Sequence, residues 1–177
     1  MELSEKIKQS IRDVKDYPKP GIVFKDITPI LADPGLRKEI VDALVQQFRS
    51  QKIDAIASTE ARGFIFGSIL AYELGCPFIL VRKAGKLPYH TRSAEYSLEY
   101  GTAKVEMHID SVKQGWRVLV HDDLLATGGT AGATADLIQH SDGVIAGFSF
   151  IINLGFLPGA ENLEKRFGIR PHYLVKY

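Results

Sequence analysis

The sequence predicts an α/β protein: a central, mostly parallel sheet flanked by helices. Three observations predict it. Apolar runs of strand length, such as Phe78 to Arg82 and Val144 to Leu154, alternate with helical stretches over much of the 177 residues. Val118, Leu119 and Val120, two of them β-branched, suit a strand buried on both faces of a parallel sheet. Beyond them come two adjacent acids and a Thr-Gly-Gly-Thr turn that opens a small-residue helix, and open α/β sheets place their ligands at such strand ends.

Taken in order, Leu3, Ile7, Ile11 and Val14 recur at helical spacing and predict an N-terminal amphipathic helix, stopped by Tyr17, Pro18 and Pro20. Phe24, with Pro20 and Gly21 before it and Pro29 after it, reads as ordered loop or edge strand. Asp33 and Pro34 give the cap and first turn of a second helix, which carries Leu36, Ile40, Leu44 and Phe48 on one stripe and ends near Ser50. Strand Ile53 to Ser58, helix Gly63 to Leu74 stopped by Gly75, and strand Phe78 to Arg82 follow. Pro88 to Gly101 is polar, holds three tyrosines and has no clean period, so it is expected to be a mobile lid. Strands Ala103 to His108 and Arg117 to Val120, helix Ala131 to His140, strand Val144 to Leu154, helix Gly159 to Phe167 and strand Tyr173 to Lys176 complete the chain. There is no repeat and no low-complexity linker.

This length suits one domain with a sizeable core. The formal charge of +1, from 22 basic and 21 acidic residues, gives no bulk drive toward nucleic acid or acidic membranes. Cys76 is the single cysteine, so no intrachain disulfide forms, and its Gly75 and Pro77 neighbours suit a small residue entering a strand rather than a catalytic thiol. MELSEKIKQS lacks the apolar core of a signal peptide and no apolar run reaches membrane-spanning length, so a cytoplasmic protein is expected. The five histidines, His90, His108, His121, His140 and His172, have no metal-ligand spacing.

The chemistry concentrates after Val120. Thr127, Gly128, Gly129 and Thr130 turn the chain while leaving several backbone N–H groups free, because glycine accepts positive φ and lets a ligand approach the backbone. The helix that follows turns its positive end to the same place, and the two threonines add hydroxyl donors. Asp122 and Asp123, as acceptors, suit a ribose diol. Together they predict a socket for ribose 5-phosphate. No lysine follows the glycines as in a Walker A loop and GxGxxG is absent, so nucleoside triphosphates and NAD fit poorly. A plain tight turn with solvated acids would leave two acids and two threonines around one glycine pair unexplained.

Thr59, Glu60, Ala61, Arg62 and Gly63 repeat the arrangement of strand, loop and helix. Arg62 offers a planar fork of donors to phosphate oxygens, and a cation at a helix N-terminus is unfavourable without an anion. Arg82, Lys83 and Lys86 form a cationic cluster after the run FILV, where a solvated loop is the ordinary explanation.

The run VLVHDDLLATGGT resembles the phosphoribosyl diphosphate (PRPP) motif of the type I phosphoribosyltransferases, and DDLLATGGT most resembles their adenine-using branch. The similarity extends through GIVFKDITPIL, ARGFIFG, VRKAGKLP and EYSLEYG. It implies the type I phosphoribosyltransferase fold as a single domain over 1–177, with a small hood from about 1–33 and 155–177 and a flexible lid loop. It also implies transfer of the 5-phosphoribosyl group from PRPP to adenine N9, giving AMP and pyrophosphate.

By the same resemblance Asp122, Asp123, Ala126, Thr127, Gly128, Gly129 and Thr130 bind PRPP or AMP. Glu60, Ala61, Arg62, Gly63, Arg82, Lys83 and Lys86 meet pyrophosphate, with a cis peptide between Glu60 and Ala61 and the arginine donated across a homodimer interface. Phe24 stacks on adenine while the backbone of Val23 and Lys25 reads the purine edge. Glu99 is the acid or base at the purine, Tyr100 closes over the reacting centre, and Arg62 joins them in catalysis. Magnesium accompanies PRPP, held mainly by its oxygens and water, with no protein metal cage. Neither nucleic acid nor membrane is an expected partner.

Two alternatives stay open. One keeps the chemistry with another nucleobase, and the other makes the chain a PRPP-sensing regulator that binds nucleic acid. His121, directly before the acids, reads as sheet packing or as a tuned neighbour of Asp122, with packing preferred.

Overall fold

The computed structural model describes residues 1–97 and 101–177. The chain divides into two compact units, Met1–Ala43 and Leu44–Tyr177.

The first unit starts with α1 (Leu3–Ser10), where Glu5 in the first turn and Lys8 in the last complement the helix dipole. The helix is shorter than its apolar spacing predicts. Ile11 is already extended, and Val14 lies in β1 (Arg12–Lys15), which pairs antiparallel with β2 (Val23–Asp26) so that Val14 faces Phe24. Cross-strand pairing of a β-branched residue with an aromatic one therefore overrides the 3.6-residue period. The edge strand expected around Phe24 forms as β2. A five-residue helix that the sequence reading does not contain, α2 (Thr28–Ala32), follows, started by the Asp26 carboxylate accepting from Thr28 N at 2.9 Å. The division between the units falls within α3 (Pro34–Phe48), which Asp33 caps by accepting from the amides of Gly35 and Leu36 at 2.9 and 3.0 Å.

The second unit is built on β3 (Ala55–Thr59), β4 (Phe78–Lys83), β5 (Thr91–Ser97), β6 (Thr102–His108), β7 (Arg117–Leu125), β8 (Val144–Asn153) and β9 (His172–Lys176). They form one sheet in the order β5-β6-β4-β3-β7-β8-β9. The β4–β3–β7–β8–β9 portion is parallel, and β5 and β6 join it antiparallel. Helices α4 (Arg62–Leu74), α5 (Gly129–Gln139) and α6 (Gly159–Phe167) connect the parallel strands. Gly75 ends α4 in the left-handed conformation, φ 66°, as its position after Leu74 predicts. Ala131, Ala133 and Ala135 of α5 are small enough to bring that helix close to the sheet, where they join Val118, Val120, Phe148 and Phe150 in the core.

Two segments depart from expectation. The lid stretch Pro88 to Gly101 contains β5, paired with β6 from Thr91↔His108 to Ser97↔Thr102. Its inward residues Ala94 and Tyr96 pack on the core, a weak apolar alternation that only the neighbouring strand makes legible. The strand ending at Val120 in the sequence reading instead runs to Leu125, because Asp122, Leu124 and Leu125 keep register with Phe150, Ile152 and Asn153 of β8. The acids thus lie within a strand. No helix among the described residues is long and apolar enough to cross a membrane.

Candidate active site

The turn from β7 into α5 lies at the residues expected to form a cradle. Gly128 is the α5 N-cap at φ 83°, and a side chain there would also press on the Gly159 carbonyl oxygen at 3.0 Å. The first α5 hydrogen bond runs from Gly132 N to Gly128 O at 2.8 Å, so the amides of Gly129, Thr130 and Ala131 precede any intrahelical acceptor. Asn162 Nδ2 donates to Thr127 O at 3.1 Å, tying the loop to α6. A cavity of about 90 Å³ opens here, bounded by Asp122, Leu124, Ala126, Thr127, Gly129 and Thr130. Leu124 is a lining residue to which sequence reasoning gave no role.

The adjacent acids diverge, as successive strand residues do. Asp122 Oδ2 accepts from the Thr59 hydroxyl at 2.5 Å, and its Oδ1 accepts from Asp123 N at 2.8 Å. Asp123 is buried, and its Oδ2 lies 3.0 Å from Arg62 Nε. Burial pushes both carboxyls up. Asp122 rises well above the ordinary aspartate value, reinforced by the charge of Asp123, while Arg62 pulls Asp123 partly back. Thr59 was named with the second loop, but its bond to Asp122 was not foreseen, since its partner lies on another strand and no local pattern marks the pairing.

At the end of β3, the Glu60–Ala61 peptide is cis, as the resemblance implies. Ala61 precedes α4 and carries no side-chain cap. Glu60 gathers the cationic cluster, accepting from Arg82 Nε at 2.7 Å and from Lys83 N at 2.8 Å. Burial alone would raise the Glu60 carboxyl, but these two partners outweigh it and its pKa is lowered. Arg82 Nη1 also donates to Lys86 O at 3.0 Å, which brings Lys86 to the same turn. Arg82 is therefore paired with a carboxylate of its own chain. Gly63 leaves room for Asp122: a Cβ there would sit 2.7 Å from Asp122 Oδ1.

Within the first unit, the ring of Tyr17 stands edge-on to Phe24 with centroids 5.2 Å apart, Val23 is exposed, and Lys25 Nζ is 2.7 Å from Asp13 Oδ1. Glu99 and Tyr100 lie outside the described residues. His121 is fully buried with Nδ1 3.1 Å from Ser149 Oγ, and burial lowers its pKa to about 3. This neutral ring fits the packing reading.

The phosphoribosyl transferase domain family matches residues 26–152. That match covers well over half of the chain, and the chain belongs to the phosphoribosyl transferase family. An adenine phosphoribosyltransferase from Cytophaga hutchinsonii is 54% identical over 91% of this chain and 89% of its own. The crystal structure of adenine phosphoribosyltransferase from Thermoanaerobacter pseudethanolicus is 47% identical, with a TM-score of 0.94 over 98% of this chain and 99% of that one. That of the Saccharomyces cerevisiae enzyme, complexed with D-2,5-dideoxy-2,5-imino-altritol 1,6-bisphosphate and adenine, is 35% identical with a TM-score of 0.88 over 97% and 98%.

Proposed function

We propose that this chain transfers the 5-phosphoribosyl group of PRPP to N9 of adenine, forming AMP and pyrophosphate in purine salvage. The observation that carries the reading is the cradle at Ala126–Thr130 beside Asp122, on a chain about half identical to adenine phosphoribosyltransferases over nearly its full length. The N9 lone pair forms the bond to C1′ as the bond from C1′ to the diphosphate oxygen breaks, its electrons leaving with pyrophosphate. Positive charge gathers on the ribose ring and negative charge on the leaving group, so the protein's work is alignment and charge stabilisation.

In this reading Ala126, Thr127, Gly128, Gly129 and Thr130 grip the 5-phosphate, while Asp122 and Asp123 accept from the ribose hydroxyls. Arg62, Arg82, Lys83 and Lys86, with the backbone of Glu60, Ala61 and Gly63, receive the diphosphate. Phe24 stacks on adenine, the main chain of Val23 and Lys25 reads its edge, Glu99 handles the purine proton and Tyr100 covers the reacting centre.

Magnesium enters with PRPP as counter-ion to the diphosphate. Asp122 and Asp123 are engaged by Thr59 and Arg62, and in this reading the ion is held mainly by substrate oxygens and water. Its chemistry there is neutralisation of leaving-group charge. A homodimer is part of this reading, as the resemblance implies. We place the enzyme in the cytoplasm.

The test is production of labelled AMP from labelled adenine and PRPP, against a panel of other bases. Turnover of adenine with a large loss in Glu99→Ala, its melting temperature retained, is expected. Preference for another base would overturn the substrate, and PRPP-dependent nucleic-acid binding without turnover would overturn the enzyme.

A further inference from the structure

We infer that Tyr96 is a positioning residue for the phosphate cradle, an inference that rests on the function proposed above. Gly129, first residue of α5, has ordinary helical backbone rather than a positive φ, so conformational freedom does not explain its glycine. Space does. A Cβ on Gly129 would lie 2.9 Å from Cδ2 of Tyr96 and 3.6 Å from the carbonyl oxygen of Ser97. The Tyr96 ring therefore rests directly on the main chain of the residue whose amide opens the helix.

The other side of the loop is held by α6. Asn162 binds Thr127 O, and Gly128 approaches the Gly159 carbonyl and the Leu163 side chain. The cradle is thus clamped between α6 and Tyr96, and the same three elements line an open pocket of about 390 Å³. Tyr96 is pinned in turn by its pairing with Ala103 of β6 and by packing on the core. An anion gripped by main-chain amides gains from donors that are already aligned, since each degree of freedom removed beforehand is one that binding need not freeze. The ring contributes that alignment through contact alone, without touching substrate.

The test is steady-state kinetics on Tyr96→Leu, Tyr96→Phe, Gly129→Ala and the double variant Tyr96→Leu/Gly129→Ala, with calorimetric binding of ribose 5-phosphate as a second readout. Tyr96→Leu is expected to raise KM for PRPP and Kd for ribose 5-phosphate about tenfold, with KM for adenine and the melting temperature little changed. Tyr96→Phe keeps wild-type values because the contact is made by ring carbons. Gly129→Ala is strongly impaired, and the double variant binds better than the product of the single effects because the new methyl has room. An unchanged Kd in Tyr96→Leu, a Tyr96→Phe as impaired as Tyr96→Leu, or strictly multiplicative single effects would overturn the inference. Wild-type protein that binds ribose 5-phosphate but does not turn over adenine would refute the function and leave the calorimetric comparison to decide the role of Tyr96.

Discussion

Arg62 Nε stands 3.0 Å from Asp123 Oδ2, joining the first turn of α4 to the C-terminal half of β7. The cation that a helix N-terminus disfavours finds its anion inside the protein, on a carboxylate with 4% of its side chain exposed. One ion pair therefore links the residues proposed for ribose to those proposed for pyrophosphate.

Breaking that link is expected to disturb both ends of PRPP. Asp123→Ala should lower kcat/KM for PRPP about tenfold or more, because Arg62 loses the buried carboxylate it is paired with. Arg62→Ala should do likewise, and the double variant should be less impaired than the product of the two. Strictly multiplicative effects in initial-rate assays would mean the pair does not act as a unit.

Gly63→Ala tests the space reserved for Asp122. The added methyl would meet Oδ1 at 2.7 Å and must turn the carboxylate away from Thr59. Activity should fall about tenfold or more while the α4 helix, which favours alanine, loses no intrinsic stability. Full activity in Gly63→Ala would show that Asp122 tolerates displacement.

The acid limb of kcat/KM for PRPP should lie above the ordinary aspartate range, because burial and then the neighbouring Asp123 charge raise the Asp122 carboxyl and the ionised form is the acceptor. Lowering the pH protonates it and removes the acceptor earlier than for an exposed aspartate. In Asp123→Asn the neighbouring charge is gone, so the residual activity should show its acid limb at lower pH. A pH–rate profile with an unmoved limb would assign the titration to another group.

His121 should make stability fall on mild acidification. Its folded pKa is lowered to about 3 from 6.5, so between those values the unfolded chain binds a proton that the folded one does not, and stability rises with pH by up to about 1.4 kcal/mol per unit. The buried aspartates act in the opposite direction, since the folded state holds their protons more tightly. His121→Asn should therefore lose less stability, or gain more, than wild type as the pH is lowered from 6.5. Identical slopes in the two proteins would show that the ring does not titrate as its burial requires.

Much of the fold was legible because its signals are local. Gly75 stops α4, Asp33 caps α3, and the Gly128–Gly129 turn announces itself by residue type. The misreadings are equally instructive. Val14 follows a helical period yet forms a strand with β2, and Thr91–Ser97 reads as a polar loop until β6 supplies its hydrogen-bond partners. Thr59 and Tyr96 each fall in a stretch the sequence reading names, but their places beside Asp122 and Gly129 were invisible in one dimension.

The sequence by itself determined the order of most elements and the place of the Gly128–Gly129 turn, because amphipathic period, capping and glycine conformation act within a few residues. Only the tertiary structure decided which cation meets which acid, how far β7 extends and what rests on Gly129. Those outcomes depend on pairing and burial between segments distant in the chain, and no local propensity encodes a distance across a sheet.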